Sequence, residues 1–183
     1  MLGEGEIARI ITMTIAHLVV IVLVGLACIS DVRTHRIPNG LTFGTAITAL
    51  LFHGTTAGTS GLATSVGGWM LGAALFFPVF ALRGMGAGDV KLLAAVGAWL
   101  GPLPVAWVAL ITTIAGGVIA LVVALAHGYL RTALRNMWML LMHWRICGIQ
   151  PLPAITLEGG RGPRLAYAIP IAIGTVATLW LKN

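Results

Sequence analysis

Long apolar stretches follow one another along the chain and are separated by short polar or Gly- and Pro-rich segments. A helix needs roughly 20 apolar residues to cross the hydrocarbon core of a bilayer. We therefore predict membrane-spanning helices at residues 10–29, 41–57, 62–82, 90–103, 104–126 and 165–181. The fourth of these is short and ends in the run Gly101-Pro102-Leu103-Pro104, which is typical of a point where a helix breaks and the chain turns back.

The composition agrees with this pattern. Of the 183 residues, 58% are hydrophobic and 9% are charged, and the mean hydropathy is +0.99. These values are typical of membrane proteins rather than of soluble globular ones. We predict an all-α polytopic membrane protein, a bundle of about six transmembrane helices, with residues 1–183 forming a single domain. The first apolar stretch is longer than the core of a signal peptide, so we interpret it as a retained span.

The basic residues predict the orientation of this bundle. Six spans leave both termini on one side of the membrane, and that side holds Arg9 and Lys182. The other side holds the remaining Lys and Arg residues, which are Arg33, Arg36, Arg83, Lys91, Arg131, Arg135, Arg145, Arg161 and Arg164. By the positive-inside rule this basic side is cytoplasmic. Because these charges are scattered between apolar spans, we expect the partner to be the lipid bilayer and not nucleic acid.

The segment from residue 131 to 146 is too polar to cross the membrane, but its apolar residues have the spacing of an α-helix. Between residues 131 and 146, apolar side chains recur at helical spacing, namely Leu134, Met137, Trp138, Leu141 and Trp144. The segment is either an amphipathic helix lying flat at the cytoplasmic interface or an extension of the fifth span packed on the bundle. We predict that residues 127–164 as a whole form a basic cytoplasmic loop, which ends in the Pro- and Gly-rich stretch from Gly148 to Pro163.

The chain contains only two aspartates, Asp31 and Asp89, and each lies at the edge of an apolar run. The chain crosses the membrane twice between them, so both carboxylates are predicted to lie at the same boundary. Two carboxyl groups in a small space do not both ionise easily, and one keeps its proton. Such a pair can activate a water molecule against a peptide carbonyl group without a metal ion or a cofactor. The two aspartates are therefore candidates for an aspartyl protease dyad.

Simpler interpretations of the two aspartates remain open. Asp89 follows a glycine and precedes an apolar helix, so it can serve as an ordinary helix N-cap. Asp31 lies near a helix C-terminus, where the macrodipole disfavours an anion, and its alternative role is a salt bridge to Arg33 or Arg36. A proton-coupled transporter also uses paired acids in a membrane, and a scaffold without catalysis would need neither carboxylate.

The residues around Asp89 suggest how a substrate could approach. Gly84, Gly86 and Gly88 precede it, and we expect them to give the backbone access to positive φ and to leave room for an extended peptide. Lys91 follows two residues later, where it would favour the ionised form of Asp89 or contact an acidic side chain of the substrate.

Two polar residues follow Asp31. Asn39 comes after Pro38 and is predicted to cap the second span. His35 is the only histidine near the proposed dyad and is a candidate for binding substrate. No metal-ligand spacing connects the histidines, and we predict neither a metal site nor a cofactor.

Two segments, Ser30–Asn39 and Gly84–Leu93, resemble the two signature regions of bacterial type IV prepilin peptidases, which are GxGD intramembrane aspartyl proteases. Residues Tyr167–Gly174 are similar to the last span of that family. The resemblance implies that Asp31 and Asp89 are the catalytic pair. It also implies that the substrates are prepilins or pseudopilins, cut at the cytoplasmic face of the inner membrane, after a short basic leader that ends in glycine.

The chain differs from the long members of this family. Long forms carry an added cytoplasmic region with paired cysteines, and they also N-methylate the new pilin terminus. This chain has only Cys28 and Cys147, so no such pairs are present. It therefore resembles the short peptidases of tight-adherence (Flp-type) pilus systems, and we expect no N-methyltransferase activity.

Overall fold

The computed structural model describes residues 3–128, 130–148 and 166–181. These residues form six α-helices and, within those ranges, no strand. The helices are α1 (Glu4–Thr34), α2 (Asn39–Ala81), α3 (Ala87–Leu100), α4 (Pro102–Ala126), α5 (Leu130–Cys147) and α6 (Ala168–Leu181). In the described part of the chain α1, α2 and α4 are long and apolar enough to cross a membrane, and α6 is a shorter apolar helix. The protein is thus an all-α membrane protein, as predicted.

The longest helix, α2, consists of two arms that fold back on each other at Gly58. A straight helix of its 43 residues would be about 64 Å long, roughly twice the thickness of the hydrocarbon core. Gly58 has φ 60° and ψ −144°, a conformation that favours glycine. A Cβ atom added to Gly61 would collide with the carbonyl oxygen of His53, so the two arms are in contact just beyond the turn. The arms correspond to the predicted spans 41–57 and 62–82.

Helix α3 lies at the centre of the bundle and packs along both arms of α2. Nearly all of its side chains from Val90 to Trp99 are buried. With 14 residues it is about 21 Å long, which is shorter than the hydrocarbon core. The chain breaks at Gly101, which has φ 85°, and α4 begins at Pro102. The predicted boundary between the fourth and fifth spans is therefore wrong by about two residues, because the turn uses the glycine itself.

Helices α4 and α6 run antiparallel in close contact. Gly174 of α6 lies against Thr112 of α4, and Gly116 of α4 lies against Pro170 of α6. The start of α6 also reaches the end of α1. As a result the C-terminus of α1 and the N-termini of α3 and α6 meet at one end of the bundle, and the turn at Gly58 lies at the other end.

Helix α5 contacts α4 and no other helix in the described part of the chain. Both interpretations of residues 131–146, an amphipathic helix at the interface and an extension packed on the bundle, stay predictions. Leu134, Met137 and Trp138 are more than half exposed, so this apolar face has no partner among the described residues. The side chains of Leu141 and Trp144, and the predicted loop beyond Gly148, lie outside the described residues.

Candidate active site

Asp31 lies in the last turn of α1, and its side chain is only 8% exposed. Its Oδ2 atom accepts a hydrogen bond of 3.2 Å from the backbone N–H of Ala168, the first residue of α6. A helix N-terminus carries a partial positive charge, so α6 offsets the unfavourable position of this carboxylate at the C-terminus of α1. The side chains of Arg33 and Arg36 are exposed, and neither forms an ion pair with Asp31 among the described residues. The salt-bridge interpretation of Asp31 is thus wrong.

Asp89 lies in the first turn of α3 and is also 8% exposed. The N-cap of this helix is Gly86, so the expectation that Asp89 itself is the N-cap is wrong by three positions. Asp89 instead reaches back to the start of the helix, where its Oδ2 atom accepts the backbone N–H of Gly86 at 3.2 Å. This contact holds the carboxyl group against the Gly-rich segment and stabilises the first turn.

Asp89 lies close enough to Asp31 for the charge of that carboxylate to act on it. The pKa of Asp89 is raised from 3.8 to about 7. Burial is the main cause of this rise, and the negative charge of Asp31 is the second. The hydrogen bond from Gly86 acts in the opposite direction and lowers this pKa. Asp89 therefore retains its proton at pH values where an ordinary aspartate is fully ionised. A pair in which one member keeps its proton near neutral pH can act as an acid and a base together.

The glycines before Asp89 allow close contacts with neighbouring groups, and none of them has a positive φ. The positive φ lies one residue earlier, at Arg83, so the expectation of positive φ at these glycines is wrong. A Cβ atom on Gly86 would lie 3.2 Å from Oδ2 of Asp89, and one on Gly88 would lie 3.2 Å from Cβ of Ile37. The lack of side chains thus lets the carboxyl group fold back and lets the α1–α2 connection approach α3.

Lys91 points toward α2. Its Nζ atom donates a hydrogen bond of 3.0 Å to Oδ1 of Asn39 and lies 5.3 Å from the centre of the Phe43 ring. The ammonium group therefore ties α3 to α2, and it is not among the groups that shift the pKa of Asp89. The expectation that Lys91 favours ionised Asp89 is wrong for that reason.

Asn39 and His35 lie where the connection between α1 and α2 meets the two helices. Pro38 is the N-cap of α2 and Asn39 its first residue, with no side-chain cap, so the prediction that Asn39 caps this helix is wrong. His35 ends α1 in a left-handed conformation with φ 52°, and its N–H donates to the carbonyl oxygen of Asp31 at 2.8 Å. Its imidazole is exposed, and a substrate-binding role for it stays a prediction.

Ala168, the first residue of α6, and Tyr167, which precedes it, lie at this site although the sequence pattern alone does not point to them. Ala168 donates to Asp31, and its carbonyl oxygen accepts a hydrogen bond of 3.2 Å from Sγ of Cys28. Tyr167 is half-buried, and its hydroxyl lies within the electrostatic reach of Asp89. In the sequence, the only indication of their role was the similarity of Tyr167–Gly174 to the last span of prepilin peptidases.

Within residues 3–128, 130–148 and 166–181, no group of three or more His, Cys, Asp or Glu side chains is arranged to hold a metal ion.

A model of the type IV leader peptidase family matches residues 18–121, which is more than half of the chain and includes both aspartates. Comparison with curated proteins and with solved structures gave no match.

Proposed function

This chain belongs to the type IV leader peptidase family, and on that premise we propose that it is an intramembrane aspartyl endopeptidase with Asp31 and Asp89 as its catalytic pair. One observation supports this pairing above all. Two nearly buried carboxyl groups from α1 and α3 lie at the same end of the bundle, and the pKa of one of them is raised to about 7.

The surroundings of Asp31 and Asp89 suggest which of them acts as the base and which as the acid. Asp31 accepts the amide at the N-terminus of α6 and is the ionised member, whereas Asp89 holds the proton. Asp31 takes a proton from water as the water oxygen bonds to the peptide carbon, and Asp89 gives its proton to the carbonyl oxygen. In the second step Asp31 returns a proton to the amide nitrogen, Asp89 recovers one from a hydroxyl group, and the C–N bond breaks.

The substrate we propose is a prepilin or pseudopilin of a type IV or Flp-type system. Membership of the type IV leader peptidase family supports this class, and the resemblance to prepilin peptidases implies a cut just before the apolar helix of the pilin. We propose further that the site faces the cytoplasm, since Arg33, Arg36 and Arg83 lie at its end of the bundle. Helix α5, with its unpartnered apolar face, would lie along the same membrane surface.

A basic enzyme surface does not attract a basic leader, so we propose that recognition depends on the apolar helix of the substrate packing along the bundle. The test co-expresses this chain with a candidate prepilin and with two substrate variants, and it identifies the new N-terminus by mass spectrometry. We expect cleavage to persist when the leader's charges are reversed and to disappear when the apolar helix is replaced by a polar one. Complete loss of cleavage on charge reversal, with the helix intact, would contradict this mode of recognition.

The division of roles also predicts a dependence on pH. The raised pKa means that Asp89 is protonated below about pH 7 and loses its proton above it. We expect kcat/KM to fall as pH rises through about 7, by up to tenfold for each further pH unit. The measurement is cleavage by the reconstituted protein between pH 5.5 and 9, with samples returned to pH 6.5 to control for inactivation. A rate that is constant across this range would show that protonated Asp89 is not needed.

A further inference from the structure

The first turn of α6 packs against the end of α1, next to Asp31. Ala168 binds α1 through both of its backbone polar groups, since its N–H donates to Asp31 and its carbonyl oxygen accepts from Cys28. The side chain of Ala168 is fully buried. The residue before it, Tyr167, is therefore held in a fixed place relative to Asp31.

The ring of Tyr167 is fixed on its other side by α4. A Cβ atom added to Gly116 would lie 3.7 Å from Cε1 of Tyr167, which is ordinary contact, and the ring also packs against the buried core. Its hydroxyl lies near enough to Asp89 to feel the charge of that carboxyl group. The ring is thus positioned by packing against the core, and the residue itself is held next to Ala168, which binds Asp31 directly.

The hydroxyl of Tyr167 has no hydrogen-bond partner among the described residues. Buried or half-buried tyrosine hydroxyls usually find such a partner. Asp31 and Asp89 each accept one backbone N–H through Oδ2, from Ala168 and Gly86, and the tyrosine hydroxyl bonds to neither of them. The hydroxyl of Tyr167 is therefore a fixed hydrogen-bond donor beside the two aspartates. It is available to bind a peptide substrate.

We propose that Tyr167 is a third catalytic residue, whose hydroxyl donates a hydrogen bond to the scissile carbonyl oxygen as negative charge develops on it. This rests on the proposed function of the two aspartates. The tyrosine transfers no proton. Asp89 supplies the proton to one lone pair of that oxygen, and the tyrosine hydroxyl binds the other. A fixed donor of this kind stabilises the transition state more than the ground state.

The variant that tests the proposal is Tyr167→Phe, which keeps the ring in contact with Gly116 and removes only the hydroxyl. The assay uses the full chain in vesicles with a synthetic prepilin, and KM is expressed as the mole fraction of substrate in the lipid. We expect kcat to fall about 100-fold with KM unchanged within about threefold. The thermal midpoint and the alkaline limb of the pH profile should match those of the wild type, because the pair itself is intact.

Several outcomes would overturn this role. Cleavage by Tyr167→Phe at the wild-type rate, or a higher KM at unchanged kcat, would show that the hydroxyl does not stabilise the transition state. A shifted alkaline limb would show that the hydroxyl acts through Asp89 and not on the substrate. If the wild type cleaves and the Asp31→Asn variant does not, these results bear on Tyr167 alone. A wild type that does not cleave overturns the proposed function and this inference with it.

Discussion

We expect Asp31→Asn and Asp89→Asn each to reduce cleavage on the order of 10³-fold or more while the protein stays folded. Each variant removes one half of the acid–base pair, and an amide can replace neither the base nor the proton donor. The fold should survive, because the amide oxygen of Asn can still accept the N–H of Ala168 at position 31 or of Gly86 at position 89. Relief of the repulsion between two buried carboxyl groups should, if anything, stabilise the bundle.

The control for these variants is Glu6→Gln, which makes the same change from carboxylate to amide at an exposed residue of α1. It should cleave at the wild-type rate. Cleavage is followed with matched amounts of reconstituted protein, and the thermal midpoint is recorded for each variant. If both aspartate variants process the substrate normally, the carboxyl groups are structural and the chemistry lies elsewhere.

Gly97→Ala should strongly destabilise the bundle. Gly97 of α3 and Gly68 of the second arm of α2 face each other so closely that a Cβ atom on either would collide with the carbonyl oxygen of the other. Small residues allow such contacts between helices in membranes. An added methyl group forces the two helices apart, and overpacking of this kind costs about 1–3 kcal/mol. Because α3 carries Asp89, the displacement should also lower cleavage.

Gly117→Ala in α4 is the matched control, since a Cβ atom there meets nothing within 4 Å. Alanine is the better helix former by about 1 kcal/mol, so this control should leave stability unchanged or raise it. Thermal unfolding in detergent and the yield of folded protein compare the two variants. Equal thermal midpoints for Gly97→Ala and the wild type would show that α2 and α3 do not depend on this contact.

Hydropathy and turn residues were sufficient to predict the succession of spans. They identified both arms of α2, because Gly58 falls in the short polar interruption between two apolar runs. They missed the position of the next turn by about two residues, since Gly101, Pro102 and Pro104 are all able to end a helix and only one of them does so. Helix ends depend on local contacts that hydropathy does not record.

The neighbours of each side chain were harder to predict than the spans. The hydrogen bond between Ala168 and Asp31 joins residues 137 positions apart, and no periodicity in one sequence reveals which helices lie side by side. The same limit applies to Lys91, whose closeness to Asp89 in sequence led to the expectation that it favours the ionised form of Asp89. The two residues are two positions apart in α3 and lie on nearly opposite faces of that helix. The ammonium group hydrogen-bonds to Asn39 of the neighbouring helix instead. The placement of the aspartates at one end needed only the number of crossings.

The most direct test of the central claim, that Asp31 and Asp89 act as one unit, is the residual rate of single-turnover cleavage by Asp31→Asn, Asp89→Asn and the double variant. The three are assayed with purified chain in excess over a synthetic prepilin in vesicles. Residues that act together are not additive, so the double variant should be no slower than the slower single variant. Near wild-type cleavage by either single variant, or a double variant slowed by the product of the two single losses, would contradict the dyad.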